Sequence, residues 1–129
     1  MTQPSPEQPP QYPAADPDTT VQALREMVRD FVSERQWEKF HAPKNLAMAL
    51  AIEAAELMEH FQWIDVADSR RVADDEQKRA AAGEELADVL CYALALANEL
   101  GLDVSQAMRA KMIKNRQKYP VPRYLGRAD

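Results

Sequence analysis

Two carboxylate pairs with the same spacing, Glu53 with Glu56 and Glu85 with Asp88, are the residues best placed to do chemistry. On an α-helix an i, i+3 step puts both side chains on neighbouring turns of one face, so each pair can reach a single point. Glu53 falls within the apolar stripe that Leu46, Leu50, Leu57 and Phe61 form on a helical wheel, which aims a carboxylate at the core. Asp88 is the one charged residue between Leu86 and Ala97. An ionised carboxylate there is costly unless a cation or several donors compensate it. Two such pairs on two mostly apolar helices invite a cation between them. Four oxygen donors, with no cysteine and no histidine at matching spacing, favour a hard ion, Mg²⁺ or Mn²⁺, over zinc. The competing reading makes Glu53 and Glu56 exposed-face carboxylates and pairs Glu85 and Asp88 with Lys or Arg. The repetition of the pair and the apolar run around Asp88 favour the ion.

A cation would also correct the charge balance. The chain of 129 residues has 16 Lys plus Arg against 21 Asp plus Glu, a net charge of −5, and no long basic run. That argues against nucleic-acid binding through phosphate neutralisation. With Mg²⁺, which is held by a few carboxylates together with substrate phosphate oxygens, an acidic protein can still bind phosphates. The single cysteine, Cys91, lies in an apolar run and cannot form an intramolecular disulfide. The apolar run over 86–97 is shorter than the ~20 residues of a membrane span, and the N-terminus lacks a signal-peptide pattern. A soluble, cytoplasmic protein without a membrane partner is expected.

These residues need helices to position them. Glycine occurs at three positions only, and Ala, Leu, Glu, Met and Arg dominate from residue 20 onward, which predicts an all-α fold, a four-helix bundle. Six of the nine prolines fall in the first 17 residues, so 1–18 reads as a disordered tail and 19–124 as the domain. Thr19 or Thr20 caps a first helix carrying Val21, Leu24, Val28, Phe31 and Val32 and fading near Phe40. Pro43 starts a second helix running to about Phe61. A charged, partly helical loop over 65–78 leads to a third helix from Asp74 or Asp75 to Leu100, stopped by Gly101. Asp103, with Gln106 three residues on, caps a fourth, which Pro120 and Pro122 end.

Three segments then carry a family resemblance: FVSERQWEKFHAPKNLAMALAIEAAELMEHFQW over 31–63, EELADVLCYALALANELGLD over 84–103 and KMIKNRQKYP over 111–120. The ordered set W-x-x-F-H-x-P-x-N-L, E-x-x-E-L, F-Q-W, E-E-L-x-D-V-L-x-Y and K-M-x-x-N-x-x-K-Y-P resembles the MazG-like all-α nucleoside triphosphate pyrophosphohydrolases, in particular their dCTP pyrophosphatase branch. The resemblance implies Mg²⁺-dependent hydrolysis of a (deoxy)nucleoside triphosphate to monophosphate and pyrophosphate. It also implies Glu53, Glu56, Glu85 and Asp88 as metal ligands and Glu53 as the group accepting the proton of the attacking water. Lys111, Asn115 and Lys118 would hold the outer phosphates. Trp37, Phe40, His41 and Trp63 would grip the base, His41 reaching a base edge or a phosphate and Tyr92 the sugar or a phosphate. Asn45 either joins this set or simply caps the second helix.

One position departs from the pattern. The dCTP-hydrolysing relatives are expected to carry a histidine three residues before the phenylalanine aligned with Phe31, and Val28 stands there. Without that polar contact, broader specificity or a modified pyrimidine comes into reach. Phosphoribosyl-ATP hydrolysis is the alternative enzyme, against which Trp37, His41 and Trp63 speak. A carboxylate-bridged di-iron bundle needs two E-x-x-H motifs, and only Glu38 with His41 fits. A helical interaction module is the non-enzymatic alternative. The second and third helices are apolar over so much of their circumference that a homo-oligomer, dimer or tetramer, is expected.

Overall fold

Helix starts in this chain fall where a side-chain oxygen can close an open backbone donor. Four starts are of this kind: Thr20 accepts from the Ala23 N–H at 3.0 Å, Asp65 from Asp68 at 2.7 Å, Asp75 from Lys78 at 3.0 Å and Asp103 from Gln106 at 2.8 Å. The computed structural model describes residues 15–129. In order the helices are α1 (Val21–Glu34), α2 (Pro43–Glu59), α3 (Val66–Arg71), α4 (Glu76–Leu100), α5 (Val104–Lys118) and α6 (Val121–Tyr124). Single 3₁₀ turns occupy Asp16–Asp18, Glu38–Phe40 and Val72–Asp74, and no strand occurs among the described residues. The all-α class is the one expected. The tail expected over 1–18 lies mostly outside the described residues.

Two starts and stops differ in kind. At α2, Pro43 holds the first turn and no side chain caps it, so Asn45 is not a cap. The first helix ends at Glu34 rather than near Phe40, because Gln36 adopts a left-handed conformation with φ 51°. Gln36 N–H then bonds Ser33 O and Trp37 N–H bonds Val32 O, both at 3.0 Å, which closes the helix in a Schellman arrangement. Gly101, φ 63°, ends α4 in the same way, with Leu102 N–H on Ala97 O at 3.0 Å. The Gln36 turn folds Trp37 back onto Phe31, ring centroids 5.8 Å apart and edge to face, and the Arg35 guanidinium lies over the Phe31 ring at 3.7 Å.

The main interface joins α2 to α4, and a second joins α1 to α4. Leu46 and Ala49 share a cavity with Tyr92, while Leu57 and Phe61 share another with Ala82 and Leu86, so α2 and α4 run antiparallel. Val32, Leu46, Ala95 and Ala97 form the buried core. Arg25 and Arg29 both donate to Asn98 Oδ1, at 2.9 and 3.2 Å, and Asn98 Nδ2 returns a bond to Arg25 O at 3.2 Å, which ties α1 to the end of α4. Among the described residues helix α5 has no comparable interface. Its Met108, Met112 and Ile113 are 63, 48 and 58% exposed.

Candidate active site

The antiparallel pair brings Glu53 and Glu56 of α2 opposite Glu85 of α4, with one oxygen of each within 4.8 Å of the others. Glu53 and Glu85 are half-buried and Glu56 is exposed. Glu53 Oε2 and Glu85 Oε2 are buried without any hydrogen-bond partner. Leaving such atoms unsatisfied is unfavourable, and three like charges this close repel. Burial first, then the neighbouring Glu56 carboxylate, then the charges of Asp88 and Glu85, push Glu53 up to about 7 from 4.5. Burial and the Glu56 charge likewise raise Glu85. A hard divalent cation would relieve all of this: the donors are all oxygens, two of them are orphaned, and no Lys or Arg among the described residues pairs with them.

Asp88 stands at the margin of the cluster. It is exposed and outside the group of three, yet its charge reaches both Glu53 and Glu85. Among the described residues no Lys or Arg forms an ion pair with Asp88 or Glu85, so the pairing that the competing reading requires is not made there. Asp88 lines a cavity of about 470 Å³ with Val28, Phe31, Trp37, His41, Cys91 and Tyr92. Partial burial and the Asp88 charge push the Cys91 thiol up, so it stays protonated near neutral pH. A neighbouring cavity of about 480 Å³ is lined by Trp37, Phe40, His41, Asn45, Leu46, Ala49 and Tyr92. Five of the residues expected to bind substrate thus line this second cavity, while Val28 and Asp88 line the first, and the two cavities share Trp37, His41 and Tyr92.

The other expected residues are not brought there. Trp63, in the turn after α2, is 87% exposed and lines neither cavity. Lys111, Asn115 and Lys118 lie on α5 and touch neither the cavities nor the carboxylate group. Conversely, a histidine that sequence reasoning missed does reach the cluster. His60 Nε2 lies 4.0 Å from Glu85 Oε1. The signal for it was its position four residues after Glu56, on the same helical face.

An all-α chain with paired carboxylates facing each other across two helices, beside an aromatic pocket, defines a class. Residues 48–127 match the MazG-like family, and the chain belongs to it. It is 45% identical over 105 residues to dCTP pyrophosphatase 1 of Rattus norvegicus, covering 81% of this chain and 62% of that protein. Against dCTP pyrophosphatase 1 of Homo sapiens identity is 41% over 104 residues, covering 81% and 61%. The chain therefore spans somewhat under two thirds of these relatives' length. The fold is similar to a crystal structure of a pyrophosphatase from Archaeoglobus fulgidus, with TM-score 0.70 and 40% identity over 77% of this chain and 91% of that one. No helix among the described residues is long and apolar enough to cross a membrane.

Proposed function

We propose that the chain hydrolyses a (deoxy)nucleoside triphosphate, dCTP or a related pyrimidine nucleotide, to the monophosphate and pyrophosphate with Mg²⁺ as cofactor. The observation that carries this reading is the pair of orphaned buried oxygens, Glu53 Oε2 and Glu85 Oε2, set beside the Trp37, His41 and Tyr92 cavity. Similarity to dCTP pyrophosphatases supports it.

Glu53, Glu56, Glu85 and Asp88 would hold the cation, which supplies charge neutralisation at phosphate oxygens and a more acidic bound water. Glu53 accepts the proton as the water oxygen bonds to the α-phosphorus and the bond from that phosphorus to the bridging oxygen breaks, releasing pyrophosphate. Trp37 and Phe40 stack on the base, while His41, Asn45 and Tyr92 offer polar contacts to base, sugar or phosphate. Val28 gives the cavity an apolar wall where a base-edge donor or acceptor would sharpen discrimination, so several pyrimidines are accepted. Lys111, Asn115 and Lys118 hold the outer phosphates from α5 of a second copy, in a homodimer or homotetramer. Trp63, so fully exposed here, is covered in the same assembly. The net charge suits a free nucleotide rather than nucleic acid, and the lone unpaired Cys91 suits the cytoplasm.

Assaying nucleoside triphosphates for pyrophosphate release, with Mg²⁺ and with EDTA, tests the reading. Release is expected with Mg²⁺, greatest for deoxy-pyrimidines, and absent in EDTA; no release from any nucleotide would refute it. Removing residues 1–18 should leave kcat/KM within about tenfold, since that segment has too few apolar residues to offset its ordering entropy.

A further inference from the structure

The face of α2 that carries Glu53 and Glu56 continues to His60, three and then four residues further along. There the His60 backbone N–H closes the helix on Leu57 O and Met58 O, which fixes the base of the side chain in the last turn. Its imidazole points across the helix interface, with Nε2 4.0 Å from Glu85 Oε1, and the two side chains are 35 and 25% exposed. The oxygens of Glu85 are thus divided. Oε2 is buried and unpartnered within the carboxylate group, and Oε1 faces the histidine. The separation is about 1 Å longer than an N–H···O hydrogen bond, a gap that a small rotation of either side chain closes.

We propose that His60 is a positioning residue of the metal centre: its Nε2–H holds Glu85 Oε1 and thereby presents Oε2 to the cation. The proposal rests on the metal site described above. Glu85 needs such a partner because Glu56 and Asp88 both act on it with like charge, which favours a rotamer turned out to solvent. His60 is the one side chain among the described residues in ion-pair range of Glu85. Groups that hydrogen-bond a metal ligand from outside fix its orientation, and losing one typically weakens metal binding about 10–100-fold.

The test is Mn²⁺ titration of the nucleotide-free full chain, following free Mn²⁺ by electron paramagnetic resonance, with circular dichroism to confirm folding. The variants are Glu53→Gln, His60→Leu and His60→Gln. Glu53→Gln should abolish tight binding. His60→Leu should weaken it about 10–100-fold, and His60→Gln, whose amide N–H falls near the position of Nε2, should recover most of the loss. If the leucine variant unfolds, His60→Ala reads the same loss. Unchanged Mn²⁺ affinity in His60→Leu, or no recovery by Gln over Leu, overturns the proposal. So does an effect confined to nucleotide KM, which would make His60 a phosphate contact. Failure of the unmutated protein to bind Mn²⁺, or undiminished binding by Glu53→Gln, would instead refute the metal site itself.

Discussion

Helices α4 and α5 follow one another, begin in the same way and meet opposite fates. Each starts at an aspartate whose side chain accepts from the N–H three residues on. Helix α4 is then packed by α2 and α1 and carries Glu85, Asp88 and Tyr92 into the site. Helix α5 carries Lys111, Asn115 and Lys118 and finds no comparable packing among the described residues, with Met108, Met112 and Ile113 exposed. Capping and propensity can specify a helix, but a 15-residue helix is marginal in water without a packed face. The proposed assembly accounts for the difference: α5 would lie at an interface between copies, and one chain would hold only part of its site.

The sharpest way to break this comparison is to charge the open face of α5. In a monomer, Met108→Asp with Met112→Asp would change stability by no more than about 0.5 kcal/mol per site, since exposed positions tolerate such changes. In an assembly the same pair would bury unpaired charge at several kcal/mol. Light scattering should show the unmutated chain as a dimer or tetramer and the variant as a monomer, with activity down more than about 100-fold. An assembled, active variant would show that α5 faces water in the working protein.

A smaller effect is expected at Lys111. Loss of a charge-assisted contact to phosphate, worth about 1.5–3 kcal/mol, should lower kcat/KM of Lys111→Ala roughly 10–100-fold. Co-assembly decides whether that contact is made across chains. Mixed with Glu53→Gln chains, Lys111→Ala chains should regain activity beyond the sum of the two, because a mixed pair contains one site with both residues intact. Sites built within one chain would show no such gain.

The same contrast explains how much could be read from the sequence. The caps at Thr20, Asp75 and Asp103 and the glycine stop at Gly101 were legible because each is closed by residues within five positions. The pairing of Glu53 and Glu56 with Glu85 was legible because a carboxylate set in an apolar stripe is costly until a cation compensates it, and a cation needs donors from both helices. The turn at Gln36 was not, since left-handed caps are ordinarily read from glycine and here the conformation is held by the Phe31, Arg35 and Trp37 contacts. His60 escaped notice because its partner lies 25 residues away on α4, and only the register of α2 against α4 brings them together. The sparse packing of α5 among the described residues is likewise non-local: its sequence encodes a helix and does not say what its apolar face meets.

The smallest and most specific difference between the two helices is electrostatic, and it appears when the cation is removed. In the folded chain Glu53 titrates at about 7 against an ordinary 4.5, and Glu85 is shifted in the same direction. Between those pH values the folded state holds protons that the unfolded state has released, so stability falls as pH rises from about 4.5 to about 7 and the contribution is lost above it. In EDTA the melting temperature should therefore be higher near pH 5.5 than near pH 8. Mg²⁺ binds the ionised cluster in the folded state alone, so it should stabilise more at the higher pH and flatten or reverse the trend. Asp88→Asn removes one of the charges acting on Glu53 and Glu85. In EDTA that variant should be no less stable than the unmutated chain and show a shallower pH slope, while its activity collapses. Lys111→Ala, altering a helix with no part in this cluster, should leave the slope as it is. A metal-free melting temperature that rises with pH, or an Asp88→Asn chain strongly destabilised in EDTA, would mean that the carboxylates of α4 are structural partners and not a cation site.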